Sequence, residues 1–475
     1  MADALWTWDA LVAAAHGQAD GSPAEAIAGF SIDTRSLAPG DVFVALKDQR
    51  DGHDFVTAAF ENGAAAALVS RDYRRGPGDG ALLRVDDTLR ALERIGVAAR
   101  ARLKATARVL AVTGSAGKTG TKEMLRACLA TVGKVHAPDK SFNNHWGVPL
   151  TLARMPADVD FAIFEIGMNH AGEITPLTKM VRPHIAVVTN VLPVHVGNFP
   201  DGEIGVANAK AEIFEGLEPG GIAILPVDSP HFERLRTAAD AKDARVLTFG
   251  GAGHADISGS GEPDAGGVAQ IVTATLAGSA GHRTLAYAHG TPGAHIALNS
   301  LAVVLALDCL GCLSQAALSP MRDIGPPRGR GERTAFAGSG VLLIDESYNA
   351  NPRSMAAAIA VLGDVPRDRH ARRIAVIGDM LELGEPAADF HRGLKPVLER
   401  ARVDLVFACG PNMKLLFDSL PADLRGEWGA TSAEIVTPVV AALREGDVVM
   451  VKGSLGSRMA PIVEAIKQRF SPVTG

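Results

Sequence analysis

A chain of 475 residues, 47% hydrophobic and 21% charged, has the make-up of a soluble globular protein of about three domains. A net charge of −6 with no long basic run excludes a general nucleic-acid or anionic-membrane binder. No apolar run reaches the roughly 18 residues of a membrane span, and acids (Asp3, Asp9) stand where a signal peptide needs Lys or Arg, so a cytoplasmic location is expected.

Residues 1–104 read as a small α/β domain. Asp33-Thr34-Arg35-Ser36 leads through Pro39-Gly40-Asp41 into an apolar strand over 42–46. Asp51 opens a turn that caps a helix over 56–62. A strand over 64–70, a loop over 74–80 and a helix over 89–103 follow. Residues 105–325 form a second domain. Near-continuous apolar runs at 109–112, 160–167, 184–190 and 220–225, separated by helical segments, indicate a parallel sheet covered on both faces. From 249 to 293 the chain turns glycine-rich with short β-prone pieces, read as antiparallel hairpins appended to that sheet. A helix over 295–310 comes next. Cys309 and Cys312 at its end form a C-x-x-C with no second pair and read as buried core thiols; with Cys128 and Cys409 they are too few for a disulfide framework. Pro326-Pro327-Arg328-Gly329-Arg330-Gly331 marks a boundary. Residues 326–475 alternate once more, with strands at 341–344, 374–377, 403–407 and 448–451 and helices from Ser354, over 390–401 and from Ala460. The fold class is α/β in three domains, the last an open, Rossmann-like α/β unit.

The chemistry starts at Gly114-Ser115-Ala116-Gly117-Lys118-Thr119-Gly120. An apolar strand precedes this stretch and a helix-forming run follows it, which is the context of a phosphate-binding loop. Small residues let backbone N–H groups wrap phosphate oxygens, Lys118 supplies charge near the β/γ-phosphates, and the Thr119 hydroxyl suits Mg²⁺. Val112 occupies the place of the usual first glycine. ATP and Mg²⁺ are therefore the expected cofactors. Glu165 ends the apolar run at 160–167 and is placed to bind the metal opposite the loop, because ligands of such sheets sit at the carboxyl ends of the strands. His195, in the loop after Asn190, and Lys210, on a following helical segment, have no assignable role by themselves.

In order and spacing, the loop at 114–119 with Glu165, His195 and Lys210 resembles the Mur ligase superfamily of ATP-dependent amide-bond ligases. Asp345-Glu346-Ser347-Tyr348-Asn349-Ala350-Asn351-Pro352, Gly378-Asp379-Met380-Leu381-Glu382-Leu383-Gly384 and Lys452-Gly453-Ser454 are similar to signatures of its dipeptide-adding branch. Thr34-Arg35-Ser36 and Asp51-Gly52-His53-Asp54-Phe55 are similar to that branch's uridine-nucleotide domain. The resemblance implies a UDP-substrate domain (1–104), an ATP-binding domain (105–325) and a ligase domain (326–475). It implies a carbamylated Lys210 that joins Thr119, Glu165 and His195 around Mg²⁺. It places Asn299, with His295 a turn before it, near adenine, Arg330 on the phosphates, and Tyr348, Asn349 and Asn351 on the nucleotide from the ligase domain. Thr34, Arg35, Ser36, Asn143 and Asn144 would meet the substrate. The implied partners are UDP-N-acetylmuramoyl-tripeptide and D-alanyl-D-alanine, joined through an acyl phosphate by a monomer whose ligase domain closes on the site. Glu346 in place of Asp, and His145-Trp146 in place of small or acidic residues, depart from the pattern. Without the resemblance, a P-loop motor or switch stands as the alternative reading of the loop.

Overall fold

The computed structural model describes residues 4–471 apart from Gln49, Lys140, His195, 252–253, 264–268, 279–280, 326–328, Arg330, Glu382 and Glu385. The chain divides into two compact units, Met1–Ile324 and Gly325–Gly475.

The first unit carries two sheets. In the N-terminal sheet the spatial order is Gln18–Asp20, Ala81–Val85, Ala66–Ser70, Asp41–Val44, Gly29–Ser31; all neighbours are parallel except the first pair. The strand Asp41–Val44 is buried along its whole length, as continuous apolar strands between two covering layers are. Asp51 caps the short turn Gly52–Phe55 by accepting from the His53 backbone N–H, and the helix Val56–Glu61 follows. Helix Thr88–Ala101 starts at Asp87, whose side chain accepts from the Arg90 N–H. It packs closely on the helix Gly147–Ala153 of the central sheet, where a Cβ at Gly96 would stand 3.2 Å from Leu152 Cβ and press it aside.

The central sheet runs Gly281–His289, Gln270–Gly278, Ile257–Pro263, Arg245–Gly250, Ile222–Pro226, Ile185–Val188, Arg108–Thr113, Phe161–Glu165, Val135–His136. The pairings from Val135–His136 to Ile257–Pro263 are parallel. The last two are antiparallel, so the glycine-rich stretch extends the parallel sheet as hairpins. Phe161–Glu165 and Ile185–Val188 are buried at every position, and helices such as Lys118–Leu129 and the almost wholly apolar Ala294–Cys309 cover the faces. Cys309 and Cys312 are free thiols that lie half-buried at the end of that helix, rather than in the core; Cys128 and Cys409 are the buried ones.

One histidine in this unit is a stability sensor. His289, 2% exposed, accepts the Thr291 backbone N–H at Nδ1, so its proton is on Nε2, facing the Met124 sulfur. Burial pushes its pKa down from 6.5 to about 4. The unfolded chain therefore binds a proton that the folded chain refuses between those values, and stability from this group is present above pH 6.5 and lost as pH falls toward 4. The expected size is on the order of 3 kcal/mol. Urea titrations at pH 7 and 4.5 should show a smaller drop for His289→Gln than for the natural chain; equal drops would refute it.

The second unit holds a sheet in the order Glu332–Phe336, Val341–Glu346, Val448–Lys452, Arg373–Gly378, Leu405–Cys409, Arg425–Gly429, parallel except at its first pair. The edge strand Glu332–Phe336 begins directly after the stretch read as a boundary. The single helix expected over 390–401 is two, Ala387–Arg392 and Lys395–Arg400, with Pro396 in the first turn of the second. Proline lacks the N–H that a continuous helix would need there. Among the described residues no helix is long and apolar enough to cross a membrane.

Candidate active site

Strand Arg108–Thr113 lies between Phe161–Glu165 and Ile185–Val188, parallel to both, with Val112 opposite Glu165 and Thr113 opposite Val188. Three carboxyl ends therefore rise together, where ligands of open α/β sheets bind. The chain leaves the central strand at Gly114, whose φ of +146° and close approach to the Thr189 hydroxyl leave no space for a Cβ. Gly117, at φ +81°, ends the loop and lies against the buried Asn299 amide, again with no room for a side chain. Asn299 thus backs the phosphate loop from helix Ala294–Cys309.

The loop is tied to the end of the neighbouring strand. The Ser115 N–H donates to the Asn190 carbonyl (3.0 Å), the Ala116 N–H to Asn190 Oδ1 (2.9 Å), and the Thr189 hydroxyl to the Ala116 carbonyl (2.6 Å). Helix Lys118–Leu129 starts at Gly117 with no side-chain cap, which leaves its first-turn N–H groups to an anion. Gly120 is in that turn, with open space around its Cα. Lys118 folds back so that Nζ donates to the Gly114 carbonyl at 2.7 Å.

Glu165 is 1% exposed. Its Oε2 accepts from the Thr119 hydroxyl (2.9 Å) and its Oε1 from the Asn143 amide (2.7 Å); Ser141 Oγ lies 3.2 Å from the Thr119 hydroxyl. Among the described residues no Lys, Arg or His forms an ion pair with it. A buried carboxylate with neutral partners only is costly unless a cation joins it. Lys210, on helix Glu203–Ala211, is 3% exposed. Burial holds its ammonium well below the usual lysine range, and the positive charge of nearby Lys118 pushes the same way. No set of three His, Cys, Asp or Glu side chains converges among the described residues. One carboxylate with hydroxyls is nevertheless the donor set that suits Mg²⁺, which keeps waters and takes further ligands from phosphates.

Asn143 and Asn144 are held by backbone bonds: the Gly167 N–H donates to the Asn143 carbonyl (2.8 Å) and the Gly147 N–H to Asn144 Oδ1 (2.9 Å). Thr34, Arg35 and Ser36 follow the N-terminal strand Gly29–Ser31, with the exposed Arg35 bonded to Asp33 at 2.6 Å. The N-terminal sheet is joined to the segment after Asn144: Arg154 Nε donates to the Phe30 carbonyl (2.7 Å) and Trp6 Nε1 to the Ala153 carbonyl (3.0 Å). His195 and Arg330 lie outside the described residues. In the second unit, Asn351 caps helix Pro352–Asp364 in a reciprocal box with Ser354. Tyr348 is 38% exposed, with its N–H on the Gly329 carbonyl. Buried Lys452 donates to Glu346 Oε2 (3.2 Å) and to the Asn349 carbonyl (2.9 Å), so the longer acid at 346 has a partner within reach. Asp379 accepts backbone N–H groups of Asn412 and Met413 and so caps helix Pro411–Phe417.

The sequence assigned no role to Asn190 or Thr189, and it placed Ser141 with Asn143 and Asn144 toward the substrate rather than beside the Thr119 hydroxyl. Asn190 carried a readable signal, since it is a polar residue at the carboxyl end of the strand next to the loop.

The description "Mur ligase middle domain" matches residues 112–307 and "Mur ligase, glutamate ligase domain" matches 329–455. The UDP-N-acetylmuramoyl-tripeptide–D-alanyl-D-alanine ligase of Escherichia coli is 33% identical over 443 residues, covering 92% of this chain and 93% of the relative. The chain belongs to the Mur ligase family. Members of that family are ATP-dependent ligases, and this chain is an enzyme of that class. Among solved structures, a MurF crystal structure from Acinetobacter baumannii has a TM-score of 0.83 and 28% identity, covering 98% of this chain and 99% of that one. MurF ligase from Thermotoga maritima in complex with ADP has a TM-score of 0.74 and 25% identity, covering 94% and 98%. In this Mur ligase the buried Glu165 carboxylate is the group most open to a charge test. Glu165→Gln keeps the shape and removes the charge. Activity is expected to fall by about 10²-fold while the melting temperature holds or rises, since an unpaired buried charge is lost. Steady-state rates and a thermal melt check both halves.

Proposed function

We infer that this chain joins D-alanyl-D-alanine to UDP-N-acetylmuramoyl-tripeptide at the expense of ATP, giving the pentapeptide precursor of peptidoglycan. The observation that carries this is the near full-length likeness to ligases of that name, which takes in the N-terminal and C-terminal sheets as well as the ATP loop. The likeness to a MurF ligase holding ADP supports ATP as the nucleotide. The first sheet is read as the UDP-substrate domain, the central sheet as the ATP domain and the second unit as the ligase domain. The enzyme is read as a cytoplasmic monomer.

A carboxylate is a poor acyl donor. The tripeptide's terminal carboxylate oxygen attacks the γ-phosphorus, ADP departs, and the acyl phosphate so formed is a good one. The free amine of the dipeptide attacks its carbonyl carbon, and the tetrahedral intermediate expels phosphate. Two anions must meet in the first step, so charge stabilisation and positioning carry most of the catalysis. Lys118 has the reach to leave the Gly114 carbonyl for a phosphoryl oxygen, and the uncapped helix start offers N–H donors. Thr119, Glu165 and, as a carbamate, Lys210 would hold Mg²⁺, which when bound supplies positive charge to the phosphates. His195 and Arg330 are proposed as further metal and phosphate residues.

One assay decides. Phosphate release is followed with ATP, Mg²⁺ and UDP-N-acetylmuramoyl-tripeptide, with and without D-alanyl-D-alanine, and the product is weighed by mass spectrometry. Release that needs the dipeptide, with a product two alanines heavier, is expected. Release indifferent to the dipeptide would instead favour an ATP-driven switch.

A further inference from the structure

Lys122 is fully buried, one turn after Lys118 in the helix that follows the phosphate loop. Its Nζ donates to the Pro138 carbonyl at 2.6 Å and lies 2.8 Å from Glu123 Oε1. Glu123 is held in turn, its Oε2 accepting from Arg126 Nε at 2.7 Å. A lysine ammonium without exposure is a costly way to fill space, and a methionine of similar length would fill it without the desolvation. The ammonium adds a bond to one carbonyl of a neighbouring segment.

That segment is the irregular stretch between strand Val135–His136 and helix Gly147–Ala153. Its described residues belong to no helix or strand, so they depend on outside partners. Its far end is held by the bonds from Gly167 to Asn143 and from Gly147 to Asn144. Lys122 holds its near end. Between these anchors the segment presents Ser141 to the Thr119 hydroxyl and Asn143 to Glu165. The same segment carries the asparagines expected to meet the substrate.

We propose that Lys122 is a positioning residue: it ties the phosphate-loop helix to segment 138–144, so that Ser141, Asn143 and Asn144 are set for the muramoyl-peptide while Thr119 and Glu165 are set for the nucleotide. The proposal rests on the reading of the chain as the dipeptide-adding ligase. Lys122 touches no reacting atom and acts through the segment it holds.

The test uses the full-length chain with UDP-N-acetylmuramoyl-tripeptide, ATP and D-alanyl-D-alanine. Product formation by the natural enzyme tests the underlying reading separately from this one. Lys122→Met, Ser141→Ala and the double variant are then compared about 15 °C below each one's melting temperature. Lys122→Met should raise the KM for the muramoyl-tripeptide at least fivefold. The double variant should be no worse than Lys122→Met, because both changes release the same segment. A KM within twofold of the natural value, with kcat lowered only in proportion to the folded fraction by circular dichroism, overturns the proposal. So do losses that multiply in the double variant. If Lys122→Met does not fold, Lys122→Gln is measured against the same criteria.

Discussion

Lys210→Ala should reduce ligase activity by about 10²- to 10³-fold, the scale on which enzymes lose rate when one preorganised charge-stabilising group is removed. In the metal role proposed for Lys210 an ammonium would repel the cation. The environment of Lys210 resolves this. Burial and the charge of Lys118 both favour the uncharged amine. A neutral amine attacks CO₂ and loses a proton, which yields a carbamate with a hard oxygen donor. An alanine at 210 leaves a cavity the size of the lost side chain. Formate or acetate could occupy it and return a carboxylate to the site. Activity of the alanine variant should therefore recover in part with added short carboxylates and stay flat with matched chloride. Full activity without any additive would remove Lys210 from the mechanism. Reaction rates of the natural enzyme should also fall in CO₂-depleted buffer and recover with bicarbonate, a response that the alanine variant lacks.

Lys118→Met should cost about 10³-fold in kcat with little change in stability, since in the proposed mechanism its charge serves the phosphoryl group of bound ATP rather than the folded chain. The natural side chain is half-buried and donates to the Gly114 carbonyl, a bond whose net worth is about 1 kcal/mol. Methionine retains most of the stem. Thermal melts should therefore differ by a few degrees at most, while single-turnover formation of the acyl phosphate is nearly abolished. A large fall in melting temperature together with a small fall in rate would assign Lys118 to structure. Glu165→Gln is expected to share the pattern of a fallen rate with stability held or improved, so the two variants check each other.

Much of this was legible in the chain. Val109 to Val112 followed by small residues and Lys118-Thr119 announces strand, loop and helix, because each local preference agrees with the others. Glu165 was legible as the one polar end of an apolar strand. The hairpins after 249 were legible from glycine and β-branched residues. Four things were not. The break at Gly393 and Leu394 is a matter of one proline, Pro396, placed within a periodic helical pattern. The half-burial of Cys309 and Cys312 depends on which turn of the helix meets solvent. The service of Asn190 and Ser141 to the loop depends on strand order: the neighbours of 108–113 in space are 161–165 and 185–188, a pairing no local pattern encodes. Lys122 is the sharpest case. A lysine on a helix is ordinarily a solvated charge, and only the packing of the segment at 138–144 over it makes it an anchor.

The strand order of the central sheet has a consequence for biosynthesis. Arg108–Thr113 finds both of its partners later in the chain, and the second of them ends at Val188. At ribosomal speeds of about 5–20 residues per second, both edges of this apolar strand stay unpaired for several seconds after it is made. The phosphate loop cannot take shape until Thr189 and Asn190 have emerged to hold it. Nascent chains halted before Val188 should therefore bind no ATP and should need chaperone protection, whereas those long enough to complete the sheet should acquire the loop in a single late step.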